Sequence, residues 1–161
     1  MIYILKGAIR SGKTTALLDW CASRTDVDGL LCPDGSDGKR YFLELKSKTK
    51  FEFETELKTE EVIAIGSFKF LKSAFKTANE YLLEAAKSRV FQYLILDELG
   101  KLELKNEGLH AAAQTLITTY KQDQTQHLIL VVRDYLIDDI IKHYDITEYS
   151  LLNTTDLKLL K

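Results

Sequence analysis

Residues 7–14 read Gly-Ala-Ile-Arg-Ser-Gly-Lys-Thr and follow directly on Ile2-Tyr-Ile-Leu5, a short apolar run rich in β-formers. The pattern G-x-x-x-x-G-K-[ST] between a strand and a helix constrains the fold more than any other stretch of this chain. Glycines let the backbone curl into a nest whose amides point inward at an anion. A helix opening at about Lys13 adds its unpaired N–H groups and the positive end of its dipole. Lys13 and the hydroxyl of Thr14 then stand where a β,γ-phosphate pair and its Mg²⁺ are held. The residues expected to bind phosphate are Gly7, Ala8, Ile9, Arg10, Ser11, Gly12, Lys13, Thr14 and Thr15, with Thr14 also expected on the metal.

Such a loop needs a metal-binding aspartate on a neighbouring strand. Leu94-Ile-Leu-Asp97-Glu98 provides one at the end of an apolar run. Asp97 is expected to hold Mg²⁺ through its water shell, opposite Thr14. Glu98, adjacent but aimed differently, is expected to orient and deprotonate a water directed at the γ-phosphate. Lys13 and Glu98 are therefore the expected catalytic pair.

The rest of the chain alternates short apolar runs with helical periods. Helices are expected over Thr14–Ser23, around Leu71–Ala85, over Leu109–Tyr120 and from about Tyr135 to His143. Strands are expected at Gly29–Cys32, Val62–Ile65, Tyr93–Leu96, Leu128–Val132 and Ile146–Leu151, with Val62–Ile65 read as buried. Alternation of this kind predicts an α/β three-layer sandwich around a mainly parallel sheet. Tyr41 to Leu57 differs: Phe51, Phe53 and Leu57 alternate with Glu52, Glu54 and Glu56, which predicts an antiparallel hairpin laid on the surface. The expectation is one domain over 1–161 with this insertion at about 38–58.

Composition narrows the rest. A length of 161 residues with 45% hydrophobic and 29% charged residues excludes a disordered tail or a disulfide scaffold. A net charge of −2 supplies no cation excess for nonspecific nucleic-acid binding. No stretch reaches the length of a membrane span, and Cys21 and Cys32 lack metal-ligand spacing, so a cytoplasmic protein with two reduced thiols is expected. His110, His127 and His143 share no ligand spacing and read as structural or solvated; the many Phe and Tyr read mostly as core.

Asp97-Glu-Leu-Gly-Lys-Leu-Glu103 is similar to the D-E-[IL]-G-[KP]-[ML]-E block of the small nucleoside-triphosphatases first described from thermophiles. The Gly-Lys-Thr-Thr end of the phosphate loop agrees with that resemblance. So do Gly38-Lys-Arg40, which looks like the family's G-x-R element, and Ser67-Phe68, matched to an aromatic position opening the third helical segment. The resemblance implies a P-loop α/β fold and Mg²⁺-dependent hydrolysis of several nucleoside triphosphates, ATP and GTP among them, with slow turnover and loose base selectivity. The chain departs from the family at Ala8-Ile9-Arg10, bulkier than the usual proline or glycine.

Further residues stay open between a role and a plain surface position. Arg10 can stabilise charge on transferred oxygens, Arg133 can reach the γ-phosphate if its strand lies between the two motif strands, and Arg40 can fold over the nucleotide. Lys101 and Glu103 suggest an ion pair shaping the loop after Glu98. Two other functions use the same residues: a small nucleoside or nucleotide kinase with the hairpin as acceptor lid, and a nucleotide-dependent binding module presenting Glu61, Phe68 and the acidic hairpin.

Overall fold

The computed structural model describes residues 1–56 and 61–161. Leu57 and Lys58, the end of the expected hairpin, lie outside them. The parallel strands are β1 (Ile2–Gly7), β2 (Val27–Leu31), β7 (Tyr93–Leu99), β8 (His127–Arg133) and β9 (Ser150–Leu152), of which β1 and β7 carry the motifs. They form a parallel sheet, and β3 (Tyr41–Glu44) and β4 (Lys50–Glu52) extend it antiparallel beyond β2 to the order β4-β3-β2-β7-β8-β1-β9. Because β8 lies between β7 and β1, the ends of all three strands meet on one edge of the sheet.

Both faces of the sheet are covered, which explains strands that read as unbroken apolar runs. Ile4, Leu96, Leu130 and Val132 point into one core with α2 (Lys72–Ser88), α3 (His110–Lys121) and α4 (Ile137–His143). Leu5, Ile95, Ile129 and Val131 point to the other, under α1 (Lys13–Cys21) and the closing 3-10 segment Thr154–Leu159. In β2, Gly29 sits at φ +136, and a Cβ there would lie 2.2 Å from the Ile95 carbonyl oxygen. The backbones of β2 and β7 approach too closely for any other residue at that point.

Two expectations are corrected. The expected antiparallel hairpin is present as β3 and β4, but it is built into the edge of the main sheet rather than laid on the surface: Leu31 pairs with Leu43, and Phe42 and Leu43 are both buried. Val62–Ile65 forms β5, but it is half-exposed and outside the main sheet. It pairs antiparallel with β6 (Phe68–Leu71), so Phe68 opens a strand rather than the helical segment expected after Ser67. An apolar run of four residues satisfies a buried strand and a half-covered hairpin equally well. The two hairpins are joined, since the Leu71 amide donates to the Phe53 carbonyl at 2.7 Å and that of Thr55 to Lys69 at 2.9 Å.

Candidate functional site

The loop from Gly7 to Lys13 has the geometry its glycines require. A Cβ on Gly7 would come within 2.6 Å of Ser11 Oγ, and Gly12 has φ 81, in the left-handed region. Arg10 also takes a positive φ, 56, without being glycine. Its side chain and those of Ala8, Ile9 and Ser11 are exposed, so the loop opens to solvent. Lys13 is the exception. It is buried at 6% exposure, and its ammonium donates to the carbonyls of Gly7 at 2.9 Å and Ala8 at 2.8 Å.

One helical position on, Thr14 Oγ1 donates to Asp97 Oδ2 at 2.7 Å, and the Cys32 amide donates to the same oxygen at 3.1 Å. Asp97 is 1% exposed. Burial, with the neighbouring Glu98 charge, pushes its carboxyl up to about 6, against the bonds from Thr14 and Cys32 and the charge of Lys13. The pair fits Mg²⁺: both are hard oxygens, the hydroxyl suited to ligate the ion and the carboxylate to hold its water shell. Among the described residues no group of three or more His, Cys, Asp or Glu side chains could hold a metal. A hydroxyl and one carboxylate leave most positions to water and phosphate, as Mg²⁺ prefers.

Glu98 reaches its place through a register shift. Leu96 pairs with Leu130 and Leu99 with Val132, so Asp97 and Glu98 together face Val131 alone. This extra residue re-aims two adjacent carboxylates to different surroundings. Arg133, at the end of β8, places Nη2 2.6 Å from Glu98 Oε1, and Arg40 Nη1 stands 3.9 Å from the same oxygen. The condition set for Arg133, a strand between the motif strands, is met. Arg40 is held in turn by Glu54 at 3.8 Å, and its guanidinium lies 5.5 Å over Phe53 and 5.7 Å over Phe70.

Lys101 and Glu103 do not form the expected pair. Glu103 is buried and accepts the amides of Gly100 at 2.7 Å and Leu109 at 2.8 Å, so it shapes the loop through the backbone. Burial pushes its carboxyl up to about 7 despite those bonds. The aromatic rings are core, as expected, and four of them also line a cleft. Phe42, Phe53, Phe70 and Phe75 line this cleft of about 190 Å³ together with Arg40, Glu98, Lys101 and Arg133. The alternation Phe68-Lys-Phe70 was the available signal. Arg10 points away into solvent, and His110 meets Tyr144 through Nδ1 at 3.0 Å.

With this geometry in place, comparison with solved structures identifies the architecture. The chain superposes on the crystal structure of THEP1 from the hyperthermophile Aquifex aeolicus with a TM-score of 0.73, covering 100% of this chain and 97% of that one. The chain has the P-loop α/β fold. At 16% identity the likeness speaks for the fold alone. No family model matches the chain, and no curated protein does. No helix among the described residues is long and apolar enough to cross a membrane.

Proposed function

We propose that the chain is a Mg²⁺-dependent nucleoside triphosphatase, cleaving ATP, GTP and related nucleotides to the diphosphate and phosphate. The observation that carries this reading is the 2.7 Å bond between Thr14 and Asp97, two motif residues 83 positions apart. The amides of 7–14 cradle the phosphates, and Lys13 exchanges its two carbonyl partners for β- and γ-phosphate oxygens. Thr14 and Asp97 hold Mg²⁺, which supplies charge neutralisation at those same oxygens. Arg133 fixes one oxygen of Glu98, and the other accepts a proton from the water as it attacks the γ-phosphorus in line. The resemblance of Asp97–Glu103 to the small nucleoside-triphosphatase block supports the same assignment.

The test is phosphate release from ATP, GTP, CTP and UTP, with and without Mg²⁺, in the wild type and Glu98→Gln. Release that requires Mg²⁺ and falls about 10²–10⁴-fold in the variant, with nucleotide affinity kept, is the expected result. Equal turnover in Glu98→Gln removes the role given to Glu98.

A further inference from the structure

Arg40, Lys101 and Arg133 all line the cleft, against two carboxylates, Glu98 and Glu103. Glu103 offers these cations little. Its Oε2 accepts the Gly100 amide and its Oε1 the Leu109 amide, and burial pushes its carboxyl up to about 7. Glu98 is therefore the counter-charge. Its Oε1 meets Arg133 at 2.6 Å and Arg40 at 3.9 Å, while Lys101 has no ion-pair partner among the described residues. One carboxylate facing three cations leaves the cleft positive.

Arg40 is placed by its surroundings without being satisfied by them. It stands 3.8 Å from Glu54 and 3.9 Å from Glu98, and both distances exceed a hydrogen bond. Its guanidinium lies over Phe53 and Phe70, which fixes the charge through the ring faces and leaves the N–H donors unused there. The phenyl wall also lowers the local dielectric, so an anion beside it is attracted more strongly than at an open surface. Two guanidiniums and an ammonium are the groups that hold a tetrahedral oxyanion. Pockets for drug-sized molecules run to about 300–1,000 Å³, and about 190 Å³ gives room for a small ion instead.

The position of the cleft selects the ion. Arg133 closes β8 in register with Gly7, the first residue of the phosphate loop. Cys32 also lines the cleft, and its amide donates to Asp97. None of residues 7–14 takes part in the lining. The cleft thus adjoins both halves of the phosphate and metal site without sharing a residue of the loop.

We infer that Arg40, Lys101 and Arg133 form a second anion site, which takes the orthophosphate that hydrolysis releases. The inference rests on the triphosphatase reading and adds to it the path of the product. In that reaction the oxygen of water bonds to the γ-phosphorus as the bond from that phosphorus to the β-γ bridging oxygen breaks. The diphosphate keeps the bridging oxygen and the electron pair, and a proton of the water passes to Glu98. Once protonated, Glu98 no longer holds Arg133 and Arg40. The two guanidiniums are freed for phosphate by the step that makes it, and Lys101 adds a charge that Glu98 never engaged.

The test titrates inorganic phosphate into the full chain saturated with ADP and Mg²⁺, at constant ionic strength, and follows the bound phosphate by phosphorus NMR. The expected result is phosphate binding alongside ADP, weakened about tenfold in Lys101→Ala and regained in Lys101→Arg. Glu98→Gln, which imitates the protonated acid, is expected to bind phosphate more tightly than the wild type. Opposite shifts in the two variants are not produced by a general loss of folding, and a thermal melt checks that each is folded. Phosphate that binds equally well in Lys101→Ala and wild type overturns the site. Phosphate displaced by ADP, or unbound by a protein that hydrolyses ATP, overturns the site and leaves the triphosphatase standing. The expected binding pattern in a protein that cleaves no nucleotide overturns the assignment as product, together with the triphosphatase.

Discussion

The phosphate loop, which touches Asp97 through Thr14, and the aromatic rim, which lines a cleft with Glu98, are built in opposite ways. The loop is made by local chemistry: eight consecutive residues fix its turn, its glycines set the backbone, and Lys13 folds back on Gly7 and Ala8. The rim is assembled from 40–56 and 62–75, segments that come together only by pairing across sequence, through Phe53–Leu71 and Thr55–Lys69. Local chemistry sets the shape of the loop. Long-range packing sets what stands across from it.

The comparison is broken most severely in the rim. Phe42 is 1% exposed and touches the rings of Phe51, Phe53 and Phe75. Phe42→Ala is expected to lower unfolding stability in urea by about 3–5 kcal/mol; a loss below about 1 kcal/mol would mean the rim is not part of the cooperative core. The loop between the two regions gives a pH effect. Glu103 binds its proton more tightly folded than unfolded, so the folded state holds more protons between about 4.5 and about 7. Stability therefore declines as pH rises through that window, by on the order of 3 kcal/mol in all. Glu103→Gln should flatten the decline; an unchanged pH profile of the urea midpoint would contradict it.

On the loop side the effects appear in binding. Lys13→Ala is expected to weaken ATP affinity, read by equilibrium titration, by about 2–3 kcal/mol, because a charge-assisted bond to phosphate is lost. Normal affinity would remove the phosphate-loop assignment. The smallest effect concerns Arg10, which occupies a left-handed conformation at φ 56. Arg10→Gly relieves that cost at the expense of unfolded-state entropy, for a net gain of about 0.5 kcal/mol in thermal unfolding. A measurable loss would show that the Arg10 side chain stabilises the loop.

This division also explains what the sequence disclosed. The placement of Gly7 to Thr14 and Leu94 to Glu98 at the ends of β1 and β7 was legible because it follows from residue type at short spacing. The meeting of Thr14 and Asp97 was expected for the same reason. What stayed hidden depends on pairing. Nothing local to Leu43 says that it lies beside Leu31, and nothing in Val62–Ile65 says that its neighbour is Phe68–Leu71 rather than the central sheet. Glu103 looked like half of an ion pair because its partners are backbone amides, which leave no mark in a sequence. The rings of Phe53 and Phe70 are core, as their apolar spacing says; that they also line a cleft depends on pairing that the spacing does not carry.

The most direct measurement of the central claim is the equilibrium affinity for ATP with and without Mg²⁺, in the wild type and in Thr14→Val. The account predicts that Mg²⁺ tightens binding to the wild type and that this gain disappears in Thr14→Val. An equal Mg²⁺ effect in both proteins would contradict the pairing of Thr14 with Asp97 as the ion's seat.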